Sequence, residues 1–167
     1  MNKYYAKYLG LLPVFFLLQI LVLNEILFLT YINPYLYLAL IISLPFKTSK
    51  WFLLVYAFLI GFFIDLFGGS LGFHSTAAVF IAFIKPAISK ITIPLNVLGD
   101  TDEITLNKIG SKSFIVFSLL MILMHNTILF SLEHLHFNFH ILIKIIASSL
   151  VTLVLVLILE IFKSSKK

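Results

Sequence analysis

The sequence predicts an all-α, polytopic membrane bundle of six transmembrane helices. Three observations predict it: an extreme apolar content, apolar runs of near-spanning length, and lysines that gather at alternate ends of those runs. The 167 residues are 61% hydrophobic and 11% charged, with a mean hydropathy of +1.11. Soluble domains carry roughly 25% charged residues, so this chain could not cover itself with a polar surface in water. The length fits one integral membrane domain, residues 1–167, with no separate soluble module.

A spanning helix needs about 20 apolar residues. The approximate spans are 9–29, 34–46, 51–67, 73–90, 113–132 and 139–162. The first run is interrupted by Pro13, Gln19, Asn24 and Glu25, and follows the basic start Met1 to Lys7. No small-residue cleavage site follows it, so it reads as a retained first helix rather than a signal peptide. The second run is short. Asn33 reads as its N-cap, with Pro34 in the first helical position. The fourth run is closed by Lys85, Pro86 and Lys90. Residues 91–112 are the longest polar-leaning stretch, holding Asp100, Asp102 and Glu103, and part of it is expected to lie along the membrane surface.

The net charge is +5, and every cationic side chain apart from histidine is a lysine. Lys3 and Lys7 precede the first run, and Lys47 and Lys50 lie between the second and third. Lys85, Lys90, Lys108 and Lys112 fall between the fourth and fifth, and Lys163, Lys166 and Lys167 follow the sixth. Only Lys144 breaks the alternation. Positive charge near helix ends marks the cytoplasm, so both termini are expected there, and the alternation favours a short crossing helix over a re-entrant segment for the second run. The same placement removes the nucleic-acid reading that a basic soluble protein would invite.

Cysteine is absent, which excludes disulfides, thiolate nucleophiles and cysteine metal sites. No serine-hydrolase elbow, zinc-protease helix or phosphate loop is present, and Gly68-Gly69-Ser70-Leu71-Gly72 reads as a tight external turn. His134, His136 and His140 lie near Glu133, but structural metal sites show a fuller ligand set. The chain is therefore expected to be no enzyme and to need no cofactor or metal.

Ionisable or amide side chains within spans usually face the bundle interior. Asp65 is the leading candidate: it can contact a partner, line a cavity, or cap the next helix through His74, Ser75 and Thr76. Gly61, one turn away, can permit a close helix approach. Asn24 and Glu25 sit near the outer end of the first helix, where they are interfacial or join a polar cluster. His125 and Asn126 lie in the middle of the fifth run, where such groups hydrogen-bond across helices.

Taken in order, several segments resemble a known family. They are Leu18 to Asn24, Tyr31-Ile32-Asn33-Pro34-Tyr35-Leu36-Tyr37, Leu44-Pro45, Gly61 to Phe67, Leu71-Gly72-Phe73-His74-Ser75-Thr76-Ala77, and Lys85-Pro86. The chain is similar to the rod shape-determining protein MreD family in its Bacteroidota form, most specifically from Gly61 to Ala77. The resemblance implies a non-enzymatic scaffold in the bacterial inner membrane that serves cell elongation and peptidoglycan synthesis. The implied partner is an MreC-like bitopic protein, within an assembly that includes MreB, RodA and a penicillin-binding protein. It also implies a fold similar to the substrate-binding subunits of energy-coupling-factor transporters. A vitamin-type binding subunit is accordingly the alternative, with Glu25, Asp65, His74 and His134 as possible pocket residues. On the scaffold reading the expected partner-binding residues are Gly61, Asp65, Gly68, Gly69, Gly72, His74, Ser75 and Thr76, together with Asn33, Pro34 and Tyr35, which shape the opposite external turn.

Overall fold

A computed structural model describes residues 3–24, 32–94, 97, 103–134 and 138–164. Among these the regular structure is helical. The elements are α1 (Lys3–Leu18, continued by a π-helical turn Gln19–Leu23), α2 (Leu38–Ser43), α3 (Lys50–Gly68), α4 (Phe73–Thr92), α5 (Leu106–Ile109), α6 (Ser111–Glu133) and α7 (Phe139–Ser164). Five helices are long and apolar enough to cross a membrane: α1 with its π turn, α3, α4, α6 and α7. The chain is built as a multi-pass membrane protein. Glu25, Asp100, Asp102 and His136 lie outside the described residues.

Side-chain pairs fix the helix directions. Tyr5 stacks on Phe52 at 4.1 Å near the starts of α1 and α3, and Phe16 meets Phe67 at 5.2 Å towards their ends. The two helices therefore run parallel. α4 folds back on α3 through the turn after Gly68, and α7 folds back on α6. Lys7 and Lys163 both bind Glu103, at 2.6 and 3.3 Å, so the start of α1 and the end of α7 share one face. We call this the lysine-rich face. The exception, Lys144, lies near the opposite face, 3.7 Å from Glu133 and over the Phe130 ring at 4.4 Å.

The second apolar run departs from the six-helix expectation. In place of a spanning helix over 34–46, only Leu38–Ser43 is α-helical. The expected N-cap at Asn33 with Pro34 as first helical residue is also corrected, since the helix starts four residues after Pro34. The two prolines supply the reason. A residue before proline is pushed out of the α region; Leu44, before Pro45, sits at φ −52° and ψ 143°, and the helix stops at Ser43. Pro34 restricts Asn33 in the same way.

This segment is a central strut. Every residue from Pro34 to Pro45 is buried. Because α1 and α3 are parallel, the chain between them returns from the opposite face to the lysine-rich face. Along α7 it is tied to Ser148, Thr152 and Glu160 in turn, by Asn33 N–H at 3.2 Å, Tyr35 N–H at 3.1 Å and the Ser43 hydroxyl at 3.4 Å. Twelve helical residues at 1.5 Å each make that descent about 18 Å.

Other boundaries move by one or two residues, except that the first helix begins at Lys3 rather than near residue 9. The fourth span, expected over 73–90, runs through Pro86 to Thr92. Proline inside a helix forfeits one backbone bond. Here the packing of α4 between α3 and α6 holds the helix on course.

Candidate functional site

The strut creates the polar interior. Non-helical backbone at membrane depth is tolerated only where protein satisfies its polar groups, and each buried N–H or C=O needs a partner. Gln19 serves three groups at once. Its Nε2 donates to the Pro34 carbonyl at 2.8 Å and to Asn24 Oδ1 at 3.0 Å, and its Oε1 accepts from Leu36 N–H at 2.9 Å. The π turn begins at Gln19, and Asn24 N–H reaches back five residues to the Gln19 carbonyl at 2.8 Å. Irregular turns of this kind mark places where a helix is adapted to a local task. At the lower end of the strut, the Tyr8 hydroxyl donates to the Ser43 carbonyl at 2.7 Å, and Lys85 Nζ donates to the carbonyls of Ile41 and Leu44, each at 2.8 Å.

Tyr37, at the middle of the strut, joins two histidines. Its hydroxyl lies 2.6 Å from His125 Nε2 and 3.2 Å from His74 Nδ1. The chain continues from His125 Nδ1 to Asn126 Oδ1 at 3.0 Å, and from Asn126 Nδ2 to the Ser149 hydroxyl at 2.9 Å. One direction of donation satisfies every contact. Asn126 donates to Ser149 through its NH₂, so its oxygen accepts from His125 Nδ1–H. Neutral His125 then accepts at Nε2 from the Tyr37 O–H, and the Tyr37 oxygen accepts from His74 Nδ1–H. The network links the strut, α4, α6 and α7, and His125 and Asn126 are fully buried within it.

Asp65 is the second polar centre. Its Oδ1 accepts from the Ser70 hydroxyl and from His74 N–H at 3.0 Å; its Oδ2 accepts from Ser75 N–H at 2.8 Å and from the Ser75 hydroxyl. The carboxylate thus caps the first turn of α4, where free N–H groups favour negative charge. With four donors on two oxygens and 5% exposure, it has its acceptor capacity engaged inside the hairpin. Gly61 makes this possible. A Cβ there would fall 2.5 Å from Ser75 Cα, so only glycine lets the backbones of α3 and α4 approach so closely. Gly69, at φ +68°, ends α3 in the left-handed conformation, and both its N–H and that of Ser70 return to the Asp65 carbonyl.

The residues expected to act together therefore divide. Gly61, Asp65, His74 and Ser75 come together at the α3–α4 hairpin, with Gly68, Gly69 and Gly72 in or beside its turn. Thr76 is exposed and folds its hydroxyl back to the Gly72 carbonyl at 2.8 Å. Pro34 and Tyr35 are buried in the strut, not displayed on an external turn; Tyr35 packs against His74 and His125 at 5.5 Å each. Asn33 is half-buried. His134 is exposed at the end of α6.

Several groups were missed by sequence reading: Gln19 as an organiser, Tyr37 as the hub, Lys85 as a cap, and Glu160. Lys85 reads in sequence as a charge at a helix end, yet it is buried. Glu160 lies in the apolar run of α7 and takes Lys163 Nζ at 3.2 Å and Leu106 N–H at 3.4 Å. Its spacing of three residues from Lys163 was the available signal. Beside it, burial of Glu103 works to raise its pKa, but the hydrogen bond from Lys7 and the positive charge of Lys163 and Lys7 outweigh this and hold it below the ordinary 4.5.

Two clefts accompany these clusters. One, of about 540 Å³, opens between α3 and α4 beside Ser75 and Thr76 and is walled by Leu54, Phe58, Val79, Phe80 and Phe83. The other, of about 300 Å³, lies between α1 and α7 over one edge of α2. No protein-family model matches the chain, and no match to it is found among the curated proteins or the solved structures.

Proposed function

We propose that this chain is a non-enzymatic, MreD-like scaffold of the bacterial cell-elongation complex. It sits in the inner membrane with the lysine-rich face and both termini in the cytoplasm, and the Pro34–Pro45 strut serves as its sixth crossing. The reading rests on the resemblance from Gly61 to Ala77. One observation supports it: that segment folds into a tight hairpin whose polar groups are consumed internally, and the hairpin carries an open apolar cleft on its outer surface. Polar groups saturated by one another suit a rigid docking element better than a catalytic or ligand-binding centre. Of the residues that the vitamin-type alternative calls on, Asp65 and His74 are engaged in the interior, His134 is exposed, and Glu25 lies outside the described residues.

The proposed partner is the single span of an MreC-like protein. In lipid, helices associate largely through close packing, and the cleft offers an apolar surface of Leu54, Phe58, Val79, Phe80 and Phe83 beside the exposed Thr76. Asp65 and Gly61 act in this scheme by holding α3 to α4. The test is co-purification from native membranes with mass-spectrometric identification. Wild type should bring down cell-wall elongation proteins, and Thr76→Trp or Phe83→Ala should reduce their yield while the chain stays folded. Undiminished yield in both variants would remove the cleft from the proposal. Recovery of ATPase and coupling subunits instead would replace the scaffold by the transporter reading.

A further inference from the structure

We propose that the cleft between α1 and α7 is a phospholipid site, holding one acyl chain along its walls and the phosphodiester at Lys7 and Lys163. The cleft is about 300 Å³. That is roughly twice the apolar cavity of about 150 Å³ that holds a benzene ring, so the volume suits an alkyl chain. It is too small for a partner helix, which is about 10–12 Å across with its side chains.

The polarity of the walls follows the order of a lipid. On α1 the lining runs from Lys7 to Leu11 to Phe15, and on α7 from Lys163 to Leu159 to Val156. At 1.5 Å per residue, Phe15 lies about 12 Å deeper than Lys7 and Val156 about 10 Å deeper than Lys163. The α1 wall passes from ammonium to hydrocarbon away from the lysine-rich face, and the α7 wall runs the same way, from Lys163 through the Glu160 carboxylate that it pairs at 3.2 Å to Leu159 and Val156. The floor is the edge of α2 at Ala39 and Leu40. Outside the cleft, Val14 on α1 and Ile158 and Ile161 on α7 are exposed, so the adjoining helix surfaces face lipid.

The rim is a built charge cluster. Lys7 and Lys163 share the two oxygens of Glu103, and Lys163 also holds Glu160. The lysine side chains are 45% and 36% exposed, whereas Glu103 and Glu160 are 11% and 7% exposed. The carboxylates thus anchor the ammoniums from beneath and leave them presented outwards, where a phosphodiester can be bound. No covalent step is involved; the lipid would act as a wedge joining α1 to α7.

The full chain, purified in mild detergent with a mixture of phosphatidylethanolamine and phosphatidylglycerol, provides the test by native mass spectrometry. Wild type should retain one phospholipid under conditions that strip the others. Ala39→Phe should fill the floor of the cleft and lower retention at least ten-fold. The double variant Lys7→Gln/Lys163→Gln leaves the walls intact and should lower it comparably, with circular dichroism reporting the fold of both. A phospholipid with a photoreactive acyl chain should label Phe15 or Leu159. Unchanged retention in the folded double variant would overturn the proposal. So would labelling confined to Val14 and Ile158, or capture of a protein span by a single cysteine placed at Leu159.

Discussion

Lys85 and Leu44 meet where the helical part of the strut ends: Lys85 Nζ lies 2.8 Å from the Leu44 carbonyl and 2.8 Å from that of Ile41. The last carbonyls of a helix lack partners within it. Pro45 ends α2, so an amine delivered by α4 takes the place of the missing donors.

Removing that amine should be costly. Lys85→Met keeps the length of the side chain but strands two buried carbonyls, each worth about 1–3 kcal/mol. Unfolding in detergent should show a loss at or above that range. Lys85→Arg should not restore stability, because a planar guanidinium does not fit a space shaped for one nitrogen. A Lys85→Met protein as stable as wild type would mean that the cap contributes little.

Gly61 gives the second expectation. Gly61→Ala would drive a methyl group into Ser75 Cα and His74 O, both backbone atoms that cannot rotate away. Forced overpacking costs about 1–3 kcal/mol. The hairpin should open, and Ser75 N–H should move off Asp65. The chain has no native cysteine, so a single engineered pair across α3 and α4 can report the separation. Disulfide formation in that pair should slow in the alanine variant; an unchanged rate would show that the backbone adjusts elsewhere.

The long helices were legible because each carries enough apolar residues to span, and among the described residues Lys7 and Lys163, at the start of α1 and the end of α7, meet on one face as their places in the sequence implied. The α3–α4 hairpin was legible as well: an acid four residues after a glycine, then a glycine turn and His-Ser-Thr, specifies a capped tight return. The strut was not. Apolar content alone does not distinguish a short spanning helix from a buried segment bracketed by Pro34 and Pro45. Its partners lie as far away as Thr152 and Glu160, at separations that no local pattern encodes. Lys85 was misread for the same reason, since a lysine near a helix end looks alike in sequence whether it meets headgroups or interior carbonyls.

Tyr37 tests whether the histidine network holds the strut in register. Tyr37→Phe removes one oxygen from a chain that joins His74 to His125 and leaves buried ring nitrogens without their partner. The expected loss is about 1–3 kcal/mol. Asn126→Leu, which cuts the chain at Ser149, should add less on top of Tyr37→Phe than it costs alone, because contacts in one network are not additive. Full additivity in thermal unfolding would show that the two halves act separately.

Acidification should loosen α1 from α7 through Glu103. In the folded chain its carboxyl is held below its ordinary value of 4.5, since the Lys7 hydrogen bond and the lysine charges overcome the effect of burial. A carboxyl depressed in the folded state binds protons more readily when unfolded, so its contribution is complete above about pH 4.5. That contribution fades as the pH falls through the lower folded value. Stability measured in detergent from pH 7 down to pH 3 should therefore decline in its acidic part, and Glu103→Gln should start lower at pH 7 and decline less. Because Lys7 is the link from Glu103 to α1, the loss should be accompanied by faster cleavage near the start of α1 under brief proteolysis. Equal acid sensitivity in wild type and Glu103→Gln would assign the decline to other carboxylates.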